Sequence, residues 1–263
     1  MSSLGLTVYG PEVAKSGLTA ALDDFIRRKT GLEIAERFFA VHSRASIEAF
    51  YTLTGSTGGR HWPLVLDLFD MRPVFATLWT GPNALAVLQN VKGKTQPAQA
   101  ANGSVRSCFY CDNPVTNLLH VSDSDSVMDA ELQILRSQST GTDGAGWHAL
   151  DSGRVSHSSF RVLLSILDSS GACETGAREG NDNALKHARA AFEQAQVLAS
   201  RKGVLPIVQG YLAGDPDSLG NLLKHAGRVS AWDRLILEAG LFAMPVWGPL
   251  IRPVPALRSG AGS

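Results

Sequence analysis

The fold prediction for this chain depends on one stretch, NLLHVSDSDS, at residues 117–126. Its histidine, His120, follows an apolar run and precedes small and acidic residues that lead into the segment VMDAELQIL. This pattern predicts a strand near His120 and then a helix over residues 125–135, with Asp125 or Ser126 at its start. Without further context such a histidine is more often a structural residue than a catalytic one. Its role therefore has to be inferred from the neighbouring sequence motifs.

The composition of the 263 residues is that of a globular protein with no excess charge. The chain has 24 basic and 24 acidic residues, and 44% of its residues are apolar, which is enough for a core. A balanced charge lacks the overall basic character of nucleic-acid-binding proteins, so we expect no nucleic-acid partner. No apolar run approaches the ~20 residues of a membrane helix, and the first residues do not resemble a signal peptide. We therefore expect a cytoplasmic protein without membrane contact.

The first half of the sequence alternates between strand and helix patterns. Strands are predicted over residues 4–10, 32–42 and 73–81. Helices are predicted over residues 18–31, 62–71 and 81–93, with another behind Ser43 or Ser46. Glycine-rich and polar stretches predict loops at residues 54–60 and 94–106. This order of elements indicates an α/β fold of the α+β sandwich type over residues 1–136.

From residue 137 onward the sequence changes character. Residues 137–153 are rich in glycine and serine and predict a linker. Residues 154–244 have apolar positions at helical spacing and predict a mainly helical region. The remaining residues, 245–263, carry four prolines and end in SGAGS, so we expect an extended or disordered tail.

The three cysteines, Cys108, Cys111 and Cys173, are too few for a disulfide framework. A zinc site would need a second pair of ligands beside the CFYC motif at residues 108–111, and the sequence offers none. Alternation in SVRSCFYCDN instead favours a strand with Cys108 and Tyr110 on the same face. We predict strand packing here, rather than redox chemistry, and no metal held by protein ligands.

The motifs around His120 resemble those of nucleoside diphosphate kinases. In that family a strand ending in W-x-G-x-N precedes a helix, a G-x-T-x-P loop, G-[ST]-[IV]-R and N-x-[IV]-H-[GA]-S-D-S. The same positions occur here in the same order, at Trp79, Gly81, Asn83, Gly93, Thr95, Pro97, Gly103, Arg106, Asn117, His120, Ser122 and Asp123. The resemblance covers about residues 4–136. It implies a ferredoxin-like βαββαβ sandwich followed by the mainly helical C-terminal region.

The resemblance also implies a chemical role for His120. Its ring would attack the γ-phosphate of a nucleoside triphosphate, form phosphohistidine and pass the phosphoryl group to a second nucleotide or a related phosphorylated acceptor. A neutral imidazole suits this role because it is nucleophilic near pH 7. Asn117 would contact the ribose or a phosphate, and Ser122 would lie behind the histidine. Mg²⁺ would bridge the phosphates, and the protein would form a homo-oligomer.

Further residues would bind the nucleotide if the resemblance holds. Thr95 and Arg106 would hold phosphate oxygens, with Arg106 able to make a bidentate contact. The aromatic residue that stacks on the base would be Trp62 or His61. The family's helical tyrosine would be Tyr51 or Phe50. Lysines near the cleft could supply a missing positive charge, and the candidates are Lys94, Lys92 and Lys15.

Several positions depart from the family pattern. The family's lysine falls on Gly10, its second arginine on Gln89, and its glutamate after the catalytic histidine near Gln133. The stretch SDSDS looks two residues longer than usual. Val121 stands where the family has Gly or Ala. Each charge-assisted contact is worth ~1.5–3 kcal/mol, so two lost cations weaken triphosphate binding. Three hypotheses remain: an active phosphotransferase, an impaired nucleotide-binding pseudokinase, and an assembly module.

Overall fold

The computed structural model describes residues 2–141, 155–168 and 184–251. Its first part is built on one sheet of five strands: β1 (Ser2–Tyr9), β2 (Glu33–Val41), β3 (Pro73–Pro82), β4 (Leu119–Val121) and β5 (Ser139–Gly141). The strand order is β4-β1-β3-β2-β5, and all neighbouring strands are antiparallel. The first four strands have the order of a ferredoxin-like sheet. The predicted α+β sandwich is confirmed.

Helices pack on both faces of this sheet. One face carries α2 (Thr19–Thr30), α5 (Ala84–Lys92) and α6 (Val105–Cys108). The other face carries α3 (Arg44–Thr52), α4 (Trp62–Phe69) and α7 (Asp125–Ser137). Side chains of β3 alternate between the two cores, with Phe75 and Trp79 on the first and Ala76 and Leu78 on the second. This alternation is the period of two that a strand imposes.

The second part of the described chain is helical, as the sequence predicts. Its helices are α8 (Ser159–Leu167), α9 (Ala184–Arg201), α10 (Leu205–Tyr211), α11 (Pro216–Ala226), α12 (Ala231–Leu241) and α13 (Met244–Ile251). They share a core around the buried rings of Tyr211 and Trp247. Among the described residues no single helix could span a membrane. Only α12 and α13 taken together reach the length and composition of a span, and they are bent by 62° at their junction.

The helical region is joined to the sandwich by the chain segment that leads to His120. The carboxylate of Asp112 accepts hydrogen bonds from Ser158 Oγ at 2.6 Å and from the backbone N–H groups of Ser159 and Phe160, each at 2.9 Å. It therefore satisfies free N–H groups at the start of α8. The carbonyl oxygen of Asp112 accepts the indole N–H of Trp247 at 2.7 Å. Asp112 thus connects both ends of the helical region to the sandwich.

Replacing Asp112 with alanine is expected to destabilise the whole chain. The change leaves two backbone N–H groups and the Ser158 hydroxyl buried without their partner, and each such group costs about 1–3 kcal/mol. We expect a loss of about 3 kcal/mol or more in the free energy of unfolding, measured by urea denaturation. Asp215→Ala is the matched control, since Asp215 caps α11 in the same way at the surface. Equal losses in both variants would contradict this role for Asp112.

Two predictions of local structure are wrong. Residues 105–108 form α6 instead of a strand, because Ser104 precedes a helical turn and Tyr110 has a left-handed φ of 54° that a strand does not allow. Cys108 and Cys111 are buried all the same. Residues 245–251 belong to α13 instead of an extended tail, since Pro245 lies in the first turn, where no N–H is needed.

The segments proposed as linker and tail are described only in part. The first residues of the 137–153 segment complete α7 and form β5, which pairs with β2. Residues 142–154 and 252–263, together with Cys173, lie outside the described residues. The sequence also did not predict the short helix α1 (Pro11–Lys15), which directly follows β1.

Candidate active site

A buried glutamate holds the ring of His120. His120 lies on β4, opposite Val8 of β1, and its Nε2 is 2.7 Å from Oε1 of the fully buried Glu131. The Ser122 hydroxyl donates to the other carboxylate oxygen of Glu131 at 2.5 Å. An ionised carboxylate can only accept hydrogen bonds, so with Glu131 ionised the Nε2 of a neutral His120 ring carries the proton. The lone pair that can attack a substrate then belongs to Nδ1.

The sequence prediction for this glutamate is wrong by two residues. Gln133 is exposed on α7, whereas Glu131 reaches His120 and Ser122. Helix geometry could have corrected the prediction: Met128, Glu131 and Leu135 share the buried face of α7, and Gln133 does not.

The backbone turns sharply just before His120. Leu118 has a φ of 76°, and the N–H of Leu119 donates to the carbonyl oxygen of Asn117 at 3.0 Å, which closes a γ-turn. The N–H of Leu118 donates to Oε1 of Glu12 at 2.8 Å, and its carbonyl oxygen accepts from Gly10 N–H at 3.0 Å. A bulky residue with positive φ persists only where its surroundings hold it. The segment after β1 supplies that support.

Arg106 holds the same turn from another side. Its guanidinium donates to the carbonyl oxygens of Asn117, Leu119 and Gly93 at 2.9, 2.7 and 2.9 Å. Further contacts reach Asn117 Oδ1 at 3.1 Å and Thr95 Oγ1 at 3.4 Å. These five acceptors match the five N–H groups of arginine. The Arg106 side chain is therefore fully engaged by the protein in this structure, and burial lowers its pKa.

A cavity of about 160 Å³ lies beside His120. It brings together eight of the candidate site residues named from the sequence, which are Tyr51, His61, Trp62, Lys92, Thr95, Arg106, Asn117 and His120. Ser122 is fully buried behind the histidine and reaches Glu131. Val121 is likewise buried in the sheet core, so the larger residue at this position does not line the cavity.

Aromatic rings form one wall of this cavity. Tyr51 on α3 and Trp62 on α4 meet edge to face with their ring centroids 5.5 Å apart. The Tyr51 ring centroid is also 6.4 Å from that of His120. Burial raises the pKa of Tyr51, so its hydroxyl stays protonated and can donate a hydrogen bond. A wall of this kind can stack against a flat, apolar group.

Lys92 brings a positive charge to the cavity, at the end of α5. Its pKa is lowered to about 8, chiefly by burial and then by the nearby Arg106. Lys94, the lysine favoured from the sequence, is exposed and does not line the cavity. Lys15 instead places its ammonium group 5.2 Å from the ring centroid of Trp232 in the helical region. Of the three candidate lysines, only Lys92 lines this cavity.

The two positions where a family cation is missing have structural roles in this chain. Gln89 donates through Nε2 to the carbonyl oxygens of Val121 and Ser122, at 3.0 and 2.5 Å, and so holds the chain after His120. At Gly10 an added Cβ atom would lie 2.1 Å from Oε2 of Glu12. A side chain at position 10 thus cannot coexist with Glu12 in its present conformation.

Comparisons with known proteins give the same family. A family model described as nucleoside diphosphate kinase matches residues 6–140. A nucleoside diphosphate kinase of Legionella pneumophila (strain Lens) is 34% identical over 125 residues, which are 46% of this chain and 83% of that protein. One of Symbiobacterium thermophilum is 26% identical over 124 residues, 47% of this chain and 80% of that protein. A solved nucleoside diphosphate kinase from Halobacterium salinarum, in complex with CDP, aligns with a TM-score of 0.46 at 19% identity, covering 56% of this chain and 99% of that chain.

The fold and the site together define an α+β sandwich with a histidine-centred cavity. The matched region, residues 6–140, contains Glu12, His120 and Glu131 and excludes the described helices from α8 onward. With half of its length matched by the family model, the chain belongs to the nucleoside diphosphate kinase family. The helical region is an addition to that family domain.

Proposed function

We propose that this protein is a nucleoside diphosphate kinase-like phosphotransferase that works through a phosphohistidine at His120. The observation that carries the proposal is the pairing of His120 Nε2 with the buried Glu131, which leaves the Nδ1 lone pair available beside the cavity. A fixed ring avoids the entropic cost of orienting the nucleophile at the moment of reaction. The donor is a nucleoside triphosphate, and the acceptor is a nucleoside diphosphate or another phosphorylated small molecule.

The proposed reaction has two halves. In the first, Nδ1 attacks the γ-phosphorus, an N–P bond forms, and the bond to the β-phosphate oxygen breaks so that the diphosphate leaves with the electron pair. In the second, a terminal oxygen of the acceptor attacks the same phosphorus, and the N–P bond breaks to restore the Nδ1 lone pair. The proton on Nε2 stays with the ring in both halves, and Glu131 offsets the positive charge that the phosphorylated ring carries.

The cavity offers a place for each part of a nucleotide. In our proposal the base lies against Tyr51 and Trp62, while Thr95, Asn117 and Lys92 face the ribose and phosphates. Lys92 then takes over the role of the two cations that Gly10 and Gln89 replace. Arg106 can contact phosphate only by giving up hydrogen bonds to the turn.

The residues at the cavity suit a Mg²⁺ ion that arrives with the nucleotide. Among the described residues no cluster of three or more His, Cys, Asp or Glu side chains could hold a metal by itself. Asp123 is a carboxylate at the cavity, and Mg²⁺ is often held by one carboxylate together with phosphate oxygens and water. When bound, the ion would neutralise charge that develops on the phosphates.

The test of the proposed function is a transfer assay on the full chain. ATP is the donor, CDP the acceptor and Mg²⁺ is present, with the concentrations of both nucleotides varied. A phosphoenzyme route predicts parallel lines in double-reciprocal plots, since the first product leaves before the acceptor binds. If the wild-type chain transfers no phosphoryl group from ATP to CDP at any nucleotide concentration, the proposed enzymatic function is refuted.

One other function has specific observations in its favour. A nucleotide-binding pseudokinase fits the engagement of all five Arg106 N–H groups and the loss of two cations. It predicts that ATP raises the melting temperature while no phosphoryl group is transferred. Self-association into a homo-oligomer is compatible with either function, and sedimentation equilibrium measures it.

The Lys92→Ala variant is expected to bind ATP more weakly. One charge-assisted contact of ~1.5–3 kcal/mol corresponds to a rise of roughly tenfold to a hundredfold in Kd. The wild-type advantage should be present below about pH 8, where Lys92 is charged, and should fade as the pH rises above that value. Calorimetric titrations at pH 7 and pH 9 measure both effects. Lys94→Ala is the matched control, and an equal loss in that variant would reject the assignment.

A further inference from the structure

Leu118 depends on the segment after β1 for both of its backbone hydrogen bonds. Its N–H reaches Glu12 Oε1, and its carbonyl oxygen receives the N–H of Gly10. Leu118 has a positive φ although it is not a glycine, and this conformation is strained for a residue with a side chain. The two hydrogen bonds compensate for that strain. His120 follows two residues later, and the direction of its ring therefore depends on how firmly this turn is held.

The carboxyl group of Glu12 is buried beside the Leu118 turn. Its side chain is 2% exposed, and its second oxygen, Oε2, accepts no hydrogen bond from the described residues. Gly10 has an ordinary φ of −66°, so the glycine is needed here for space and not for backbone freedom. The space it leaves is occupied by the Glu12 carboxyl group. Gly10 and Glu12 thus form one unit that supports the turn.

The surroundings of Glu12 make its charge sensitive to pH. A small cavity of about 20 Å³ brings Glu12 together with His42, Tyr51, Asn117 and His120. Burial raises the pKa of Glu12 to about 7, against the lowering effects of its backbone hydrogen bonds and of Arg106. The Cys111 thiol and the Tyr51 hydroxyl also interact electrostatically with this carboxyl, and burial raises the pKa of each, so both stay neutral.

We propose that Glu12 is a positioning residue: its carboxyl group holds the Leu118 turn and thereby sets the direction of the His120 ring. The proposal rests on the proposed function, because a nucleophile is what needs this direction. A carboxylate is a stronger acceptor for the Leu118 N–H than a neutral carboxyl group. The turn is therefore held more firmly as the pH rises through 7, and weakens as it falls.

Three variants of the full chain test the proposal. Glu12→Ala removes the acceptor, Glu12→Gln keeps an uncharged one, and Gly10→Ala displaces the carboxyl group without removing it. We expect kcat to fall roughly tenfold to a hundredfold in Glu12→Ala and Gly10→Ala, with little change in KM. A small misplacement of a reacting group produces an effect of this size. At pH 6 the Glu12→Gln variant should have a kcat close to that of wild type and well above that of Glu12→Ala. Glu48→Gln, on the exposed side of α3, serves as the control.

The pH profile separates positioning from a purely structural role. Wild-type kcat should rise between pH 6 and pH 8 more steeply than that of Glu12→Gln, because only wild type gains a carboxylate in this range. Superimposable profiles for wild type and Glu12→Gln would overturn the proposal.

A second readout does not depend on catalysis. The Nε2–H signal of His120 in ¹⁵N-histidine NMR spectra reports its hydrogen bond to Glu131. We expect this signal to shift or disappear in Glu12→Ala and Gly10→Ala while the melting curves stay cooperative. An unchanged signal in both variants would overturn the proposal even in an active enzyme. The wild-type protein could also fail to take up a phosphoryl group from ATP while the His120 signal still changes in Glu12→Ala and Gly10→Ala. That result would refute the proposed function and leave the positioning role intact.

Discussion

Replacing His120 with alanine is expected to abolish phosphoryl transfer from ATP to CDP. The proposed reaction has no other route, because both halves pass through the bond between Nδ1 and phosphorus. Loss of a covalent nucleophile typically costs several orders of magnitude, so we expect kcat/KM to fall by at least about 10³-fold. The variant should still bind ATP, since the aromatic wall and Lys92 remain in place.

The matched control for this prediction is His225→Ala, which removes an exposed histidine of α11. It should transfer phosphate at the wild-type rate. Both proteins should also unfold cooperatively at similar temperatures, which shows that lost activity is not lost folding. A His120→Ala protein that retains transfer would place the nucleophile elsewhere or indicate direct transfer between nucleotides.

Replacing Glu131 with alanine is expected to have the second largest effect. The change leaves the Ser122 hydroxyl and the His120 Nε2–H without their partner in a buried environment. Each such group costs about 1–3 kcal/mol, so stability should fall together with activity. We expect kcat to fall by about 10²-fold, because the ring loses both its orientation and the charge that supports phosphohistidine.

Gln133, near which the sequence analysis placed the family's glutamate, supplies the control for Glu131. Gln133→Ala changes an exposed position two residues further along α7 and should leave both kcat and stability unchanged. Glu131→Gln keeps an acceptor for Nε2 and should lose much less activity than Glu131→Ala. An impaired Gln133→Ala variant beside a fully active Glu131→Ala variant would contradict this role for Glu131.

The fold could be predicted from the sequence because its signals are local and repeated. The strands β1, β2 and β3 each contain a run of mainly apolar residues bounded by glycine, proline or polar residues, and the motifs around His120 fix the order. The segment around Cys108 misled the prediction for a physical reason. Its alternation resembles a strand, but Ser104 starts a helical turn and the buried polar contacts of residues 112–116 with the helical region determine the path afterwards.

The candidate site could be predicted only as a set of residues that would meet. Tyr51, Trp62 and Asn117 do line one cavity, yet their separation in sequence gave no geometry. Lys92 lies in the last turn of α5, so the helix sets the direction of its side chain toward the cavity. Lys94 lies beyond the end of α5, and no helix directs its side chain. The hydrogen bonds of Arg106 to backbone carbonyl oxygens could not be predicted either, because every residue has a carbonyl group and the sequence does not indicate which of them lie nearby.

The most direct test of the central claim is to find the phosphoryl group on the wild-type chain. The protein is incubated with γ-labelled ATP and Mg²⁺, without acceptor, and the label is tested for stability and mapped by mass spectrometry under alkaline conditions. We expect a label that alkali preserves and acid removes, carried by the peptide that contains His120 and discharged by added CDP. A wild-type protein that acquires no label, or acquires one on a different residue, would rule out phosphohistidine at His120.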